Sequence, residues 1–534
     1  MKFRLGRYTA FALCIAVFGL GLWLGWPLWV TLTAWALACV GVFDLIQTSH
    51  SILRNYPVIG HVRWLVEMIR PELRQYLFES DTEAAPFSRA QRSLVYQRAK
   101  DMAGEHPFGT LLNVYADDYE FIAHSARPIE EPDWQSFRIT IGNDQCTKPY
   151  SASVFNISAM SFGALSPNAI RALNRGAKLG NFYHDTGEGS ISPYHREMGG
   201  DLVWELGSGY FGCRDAGGKF DPERFATQAV TDQVRMIEIK MSQGAKPGHG
   251  GVLPAAKVTA EIAGTRGVPM GKDCVSPSRH SAFSTPLEMM GFVSELRKLS
   301  GGKPVGFKLC IGHPWEFMAI VKAMLETGIT PDFVVVDGGE GGTGAAPTEF
   351  SDHIGMPMRE GLMFVRNTLV GAGLRNRIKI GAAGKITSAF DMASVLALGA
   401  DWVNAARGYM FALGCIQSLS CHTNKCPTGV ATQDLSRQGA LVVPDKAERV
   451  RNFHDNTLMA LADMLAAAGV AHPDNLAPHH LHRRISSTEV KQVSQLYTFL
   501  TPGALTSGTC PDEFYAENWA LARADSFDAK PISA

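Results

Sequence analysis

Three cysteines stand close together in the last third of the chain, Cys415, Cys421 and Cys426, with five and four residues between them. Thiolates grouped in this way serve metal chemistry more readily than packing. Iron-sulfur clusters take Cys ligands, while a zinc ion would want a fourth ligand, for which His422 is in reach. Spacing alone leaves cluster, zinc and structural thiols open. With no fourth cysteine nearby, a three-iron cluster is the better match. The other seven cysteines, Cys14, Cys39, Cys146, Cys213, Cys274, Cys310 and Cys510, are scattered and read as small buried hydrophobes rather than a disulfide framework.

A second chemistry is written in lysines, an aspartate and glycines that follow apolar runs. Lys240 ends one run, Lys308 nearly ends another, and Asp337 closes a third just before Gly338-Gly339-Glu340-Gly341-Gly342-Thr343-Gly344. Two later segments, Gly381-Ala382-Ala383-Gly384 and Ala406-Arg407-Gly408, sit at the same relative place. Glycine lets main-chain N–H groups approach a phosphate closely, and helix N-termini add a favourable dipole. A mononucleotide flavin is the guest these loops suit. The GxG text outside this region lies in an apolar N-terminal stretch, so no dinucleotide fingerprint follows a strand and no dedicated NAD(P)H domain is expected.

The elements that must position these groups are short β-like runs alternating with helical patterns. The runs include Ser153–Met160, Met236–Met241, Pro304–Leu309, Phe333–Val336, Arg377–Ile380 and Trp402–Ala405. Alternation of this kind implies a parallel sheet, and its length suggests an α/β fold of the (β/α)8 TIM barrel type over residues 150–440, with an open doubly wound sheet as the alternative. In a barrel the catalytic groups come from strand C-terminal ends, where the lysines and glycine loops fall. The 534 residues accommodate one large catalytic domain with additions. Lys and Arg total 50 against 51 Asp and Glu, a formal net charge of -1, so no global field draws the protein to nucleic acid. A small-molecule enzyme is expected.

Before the barrel, no charged residue lies between Arg7 and Asp44, and Gly25-Trp26-Pro27 interrupts the stretch. This predicts a transmembrane hairpin within residues 1–47, with helices near 8–25 and 28–46. Lys2, Arg4 and Arg7 precede it and Arg54, Arg63 and Arg70 follow, which by the positive-inside rule puts both flanks in the cytoplasm. The catalytic domain is then expected on the cytoplasmic face of the cell inner membrane, a reducing compartment that suits thiolate chemistry. Residues 48–149 read as a helical connecting collar, with helical patterning around Val62–Gln75 and Arg89–Met102, and residues 441–534 as a helical extension.

Four segments resemble the glutamate synthase family. They are the run from Cys421 to Asp434, Cys-His-Thr-Asn-Lys-Cys-Pro-Thr-Gly-Val-Ala-Thr-Gln-Asp; Lys240-Met241-Ser242-Gln243-Gly244-Ala245-Lys246-Pro247-Gly248; Ser158-Ala159-Met160-Ser161-Phe162-Gly163-Ala164-Leu165-Ser166; and Thr186-Gly187-Glu188-Gly189. The resemblance covers roughly residues 150–440 and implies a (β/α)8 barrel, FMN and a [3Fe-4S] cluster on Cys415, Cys421 and Cys426. It also implies that Lys240, Gln243, Lys246 and Arg266 hold 2-oxoglutarate or the flavin, and that Glu188 stands where ammonia enters. Ser158, Ala159, Met160, Ser161, Lys240, Lys308, Asp337, Gly338, Gly339, Gly342, Thr343, Gly344, Gly381, Gly384, Ala406 and Arg407 are the candidate flavin contacts, and Lys240, Lys246 and Glu188 the candidate catalytic groups.

The chain departs from the family's larger enzymes in three places. It opens on Met1-Lys2-Phe3 and an apolar hairpin where an amidotransferase domain would stand, so glutamine hydrolysis is expected from a separate glutaminase subunit or not at all. His249 stands where those enzymes carry Glu, and the loop Ser276-Pro277-Ser278-Arg279-His280 differs from theirs. The expected reaction is reduction of 2-iminoglutarate, formed from 2-oxoglutarate and ammonia, with electrons from ferredoxin or a similar protein passing through the cluster. One alternative keeps the flavin and changes the substrate, to a different amine or an amino or hydroxy acid, as an N-methylglutamate synthase-like enzyme would. Another is a non-catalytic membrane electron-transfer subunit.

Overall fold

A computed structural model of the chain describes residues 6–83, 85–102, 104 and 107–531. The chain divides into two compact units, Met1–Arg89 and Ala90–Ala534. The flanking charges Lys2 and Arg4 lie outside the described residues.

In the first unit two apolar helices, Thr9–Leu24 and Leu28–Ile46, form a hairpin close to the expected bounds. Gly25 turns the chain at φ 65, a left-handed conformation that glycine adopts without strain, and Pro27 caps the second helix. The helices approach closely at small residues: a Cβ on Gly21 would lie 2.8 Å from Thr31 Oγ1, and one on Gly41 would strike the Phe11 ring at 2.2 Å. Leu28–Ile46 is long and apolar enough to cross a membrane, whereas Thr9–Leu24 is shorter. The helix Gly60–Leu73 follows.

The second unit is a closed barrel of eight parallel strands: β1 Phe155–Ile157, β2 His184–Asp185, β3 Leu202–Leu206, β4 Val234–Lys240, β5 Val305–Leu309, β6 Phe333–Asp337, β7 Lys379–Ala383 and β8 Trp402–Ala405. Each strand pairs with the next in sequence, and β8 closes on β1 through Val403 and Phe155. The TIM-barrel expectation therefore holds. β2 and β3 were not among the expected runs.

Two departures from expectation concern the flanks. The expected helical collar contains strands. Arg138–Ile141 pairs antiparallel with Tyr150–Ser153, and this hairpin runs into β1 and plugs the lower end of the barrel. Ile139, Ile141, Tyr150 and Ala152 pack there against Val203, Met236, Phe333, Val335 and Trp402. The expected helical extension likewise begins with a true helix, Val443–Ala468, but continues into the short strands Leu481–Arg484 and Val490–Gln492. Strand Glu120–Ile122 pairs with the first of these, so two segments far apart in sequence form one small sheet. The long helix belongs to the barrel's outer ring. It lies against Pro167–Leu179 so closely that a Cβ on Gly176 would meet Val450 at 2.4 Å.

Strand side chains alternate between faces, so inward residues recur every second position. Following them upward from the plug, the interior changes from apolar (Val203, Met236, Phe333, Val335) to charged. Glu205, Glu238, Lys240 and Asp337 are the next inward positions on the same strands, and Lys308 joins them from β5.

Candidate functional site

The upper end of the barrel holds a network of buried charges. Lys240 ends β4 and points its Nζ at Glu188 Oε1, 3.1 Å away, while donating to Gln243 Oε1 at 2.9 Å. Glu188 reaches this position from the loop after β2, where Gly187 takes φ 62. Two glycines make room for it: a Cβ on Gly207 would lie 2.5 Å, and one on Gly251 2.0 Å, from its carboxylate oxygens. Ser276 Oγ donates to its second oxygen at 3.3 Å. Burial alone would raise the Glu188 pKa. Lys240, by charge and hydrogen bond, together with Arg266 and Lys246, outweighs burial and holds the carboxyl below its ordinary range.

Lys246 is 3% exposed, and its ammonium makes no hydrogen bond to the described residues. Burial and the like charge of Lys240 pull its pKa down, against the pull of Glu188. Arg266, at the end of Ala260–Arg266, is also buried. It donates from Nη2 to Phe162 O at 3.0 Å and lies over the Phe211 ring at 5.3 Å, with Nε left without a partner. Arg266 therefore braces the loops after β1 and β3 and acts on Glu188 through charge.

Beneath Lys240 lies a layer that the sequence reading missed apart from Lys308. Lys308 Nζ pairs with Glu205 Oε2 and stands 3.5 Å from Glu238 Oε1, and Glu205 also lies 4.0 Å from Lys240 Nζ. Ligand oxygens of Asp185, Glu205 and Glu238 lie within 4.8 Å of one another, all buried, with the Lys308 ammonium as their counter-cation. Burial, reinforced by Glu205, pushes Asp185 up to about 7, and burial raises Glu238 well above its usual range. Lys308 is raised because its carboxylate neighbours overcome the burial that would lower it. His280 is a further missed residue. Its Nε2 donates to Lys240 O at 2.8 Å and its Nδ1 accepts from Tyr210 OH at 2.9 Å, which fixes the residue carrying the lysine. The only sequence signal was its place in a divergent loop.

The candidate flavin contacts separate into groups. Ser158 N bonds to Ala405 O at 3.0 Å and Met160 N to Asp185 O at 3.2 Å, so the loop carrying Ser158, Ala159, Met160 and Ser161 spans the ends of β8, β1 and β2. Asp337 accepts from Gly244 N at 2.9 Å, and Gly244 lies against Gly338 so tightly that a Cβ would sit 1.7 Å from the Gly338 oxygen. These two residues lock the loops after β4 and β6 together. Gly338 N donates to Ala383 O and Gly339 N to Met356 O, both at 2.9 Å, while Gly342, Thr343 and Gly344 are exposed at the rim. Arg407, half-buried after β8 next to Ala406, donates to Glu340 O at 2.9 Å. Burial brings Arg407 down to about 10, and Lys385 beside it is also lowered, first by burial and then by Arg407. Lys385 has φ 51 and follows Gly384, so it adds a second cation that sequence reasoning passed over. Gly381 stands apart: a Cβ there would meet the Trp402 ring at 2.5 Å, so its role is to admit Trp402 to the barrel interior.

The three cysteines lie on one loop after β8. Cys426 is buried; burial alone would raise its thiol, but hydrogen bonds from the Thr428 hydroxyl and from the N–H groups of Ala431, Thr428 and Val430 hold it below its ordinary range. Burial raises Cys415 to about 12, and raises Cys421 together with the charge of Cys426. A tetrahedral zinc with Zn–S of about 2.3 Å holds its ligands within about 4 Å of each other. Among the described residues the one group of His, Cys, Asp or Glu ligand atoms converging within 4.8 Å is the carboxylate trio, and His422 is exposed. Lys257, also missed, is 2% exposed and donates to Ala164 O at 2.8 Å. Burial brings it down to about 8 against the opposing pull of Cys421 and Cys426. Gln433 donates to Gly163 O and Leu165 O at 3.1 and 2.9 Å. Three successive carbonyls of the β1 loop are thus held from the cysteine side.

A family model described as the conserved region in glutamate synthase matches residues 112–471. A glutamate synthase large subunit-like protein of Bacillus subtilis, YerD, is 38% identical over 507 residues, covering 88% of this chain and 95% of that protein. The archaeal-type glutamate synthase (NADPH) of Dehalococcoides mccartyi is 33% identical over 339 residues, 62% of this chain and 64% of its own length. The archaeal glutamate synthase (NADPH) of Methanocaldococcus jannaschii is 36% identical over 315 residues, 59% and 58% of the two chains. The match therefore spans under two thirds of either archaeal-type relative.

Proposed function

The chain belongs to the glutamate synthase family, and from that premise we propose that it is an FMN-dependent oxidoreductase forming L-glutamate from 2-oxoglutarate and ammonia. The observation that carries the proposal is the Lys246 side chain, buried along its length with no hydrogen bond from its ammonium to the described residues, beside the Lys240–Glu188 pair. The Lys246 Nζ is not among the sealed, unsatisfied polar atoms, so an incoming anion can reach it and offset the desolvation of the cation. A dicarboxylate entering the mouth would do so, with Lys246 and Lys240 facing its carboxylates. Glu188, held ionised, attracts and orients ammonium at the same mouth. Being a weak base, it concentrates that cation without deprotonating it, and the nucleophile that adds to the keto carbon is the free ammonia in equilibrium with ammonium, its proton released to water.

Two bound groups are part of the reading. Lys385 and Arg407, after β7 and β8, would pair with the phosphate of FMN, and the loop from Ser158 to Ser161 and the loop after β6 would border the flavin ring. FMN held there would supply hydride to the imine carbon. A [3Fe-4S] cluster would be held by Cys415, Cys421 and Cys426 and would supply an entry for single electrons, for which the N–H and hydroxyl donors around Cys426 are suited. A small one-electron carrier such as ferredoxin is the partner this implies, with a separate glutaminase as a source of ammonia. The apolar hairpin would hold the enzyme to the cytoplasmic face of the inner membrane.

Absorption and EPR spectra of the purified chain test flavin and cluster together. A flavin spectrum with an iron-sulfur EPR signal that is lost in Cys421→Ser is expected, and a chain with neither chromophore would overturn the reading. Following flavin reoxidation with ammonia, methylamine and alternative keto acids then identifies the substrate pair.

A further inference from the structure

The segment after the apolar hairpin contributes nothing to the proposed reaction, yet it is built as an amphipathic helix with its apolar side bare. Gly60–Leu73 continues into a wider turn, Arg74–Phe78. At about 3.6 residues per turn, Val62, Leu65, Val66 and Ile69 share one face. They are 52%, 56%, 49% and 42% exposed, and Tyr76 and Leu77 in the following turn are more exposed still. Arg63, Arg70 and Arg74 line one edge of that face. A helix packed on a protein core turns such a face inward, whereas this one is open within its own unit.

The start of the helix is pinned to the end of the apolar helix Leu28–Ile46. Asp44, in the last turn of that helix, is buried. It accepts from Val58 N at 2.9 Å and pairs with His61 Nε2 at 2.8 Å. If Leu28–Ile46 spans a bilayer, its end lies at the lipid surface, and the clamp starts the amphipathic helix at that level.

We propose that residues 60–78 lie in the plane of the membrane, with the apolar face among the acyl chains and Arg63, Arg70 and Arg74 against anionic headgroups. This rests on the membrane reading of the hairpin and adds to it a second, surface-lying contact with a preference for anionic lipid.

The test uses the full chain in vesicles of phosphatidylcholine with about one quarter phosphatidylglycerol. A benzophenone amino acid is placed in turn at Trp23 in the hairpin, at Leu65 on the apolar face and at Glu67 on the polar face, and adducts are read by mass spectrometry after irradiation. Lipid adducts at positions 23 and 65 but not at 67 are expected. The adducts at 65 should be enriched in phosphatidylglycerol, and the enrichment should vanish when Arg63, Arg70 and Arg74 are all changed to Gln. A lipid adduct at 23 without one at 65 would overturn the proposal while leaving the hairpin in the bilayer. A crosslinked dimer at 65 would overturn it in favour of a second copy covering the face, and no lipid adduct at either position would remove both the proposal and its premise.

Discussion

At the scale of single residues the site is a set of charges that burial makes sensitive to their neighbours. Lys246 has no carboxylate of its own, so Lys246→Ala should act mainly on substrate affinity. Truncating one partner of a buried charge pair costs about 2–5 kcal/mol, so the apparent affinity for 2-oxoglutarate should fall by roughly 30-fold or more. A titration of 2-oxoglutarate against flavin reoxidation checks this, and an unchanged midpoint would place the substrate elsewhere. Asp185 gives a pH signature. Its pKa of about 7 in the folded chain exceeds the unfolded value of about 3.9. Between those two values the folded state keeps a proton that the unfolded state has lost. The contribution of Asp185 to stability is therefore present below about pH 4 and declines as pH rises towards 7. Asp185→Asn, which can still accept from Gly187 N, should flatten that decline in urea-unfolding midpoints taken across the range. Identical pH slopes in the two proteins would assign the proton to another group of the trio.

At the scale of elements, period-two alternation stacks the layers, apolar below and charged above, and places Lys240 and Asp337 at the mouth. Much of this was legible in the sequence. Six strands showed as apolar runs, and the groups at the ends of β4 and β6 followed from the runs they close. β2 was not legible because two residues carry no periodicity, and β3 was disguised by Glu205, a charge inside a run whose every member is buried. The carboxylates around Lys308 escaped for a related reason: Asp185, Glu205 and Glu238 sit on three successive strands, and only the lateral pairing of those strands brings them together. The eighth outer helix was placed outside the barrel because a long loop with the cysteines separates it from β8. Its packing on Pro167–Leu179 can be tested with Gly176→Ala, whose Cβ would meet Val450 at 2.4 Å and the Ala447 carbonyl at 2.8 Å. The backbone contact cannot rotate away, so a loss of roughly 1–3 kcal/mol is expected in urea unfolding. An unchanged midpoint would mean that the two helices separate at little cost.

At the scale of the whole molecule, the chain joins an apolar hairpin to a family barrel, and the shared stretch of residues 112–471 covers the barrel and its cysteine loop. The hairpin reading makes the chain an integral protein, so an alkaline carbonate wash of membranes should leave it in the pellet, and release into the supernatant would count against a spanning hairpin. The account's central claim concerns the reaction. Per turnover, 2-oxoglutarate, ammonium, two electrons and two protons give glutamate and water. The direct measurement is anaerobic: the purified chain is reduced with a one-electron carrier protein, freed of excess donor, and mixed with 2-oxoglutarate and ammonium while flavin absorbance and glutamate are followed together. The account expects the flavin to reoxidise as glutamate appears, one glutamate for each pair of electrons lost. A flavin that stays reduced, or reoxidises without glutamate, would contradict it.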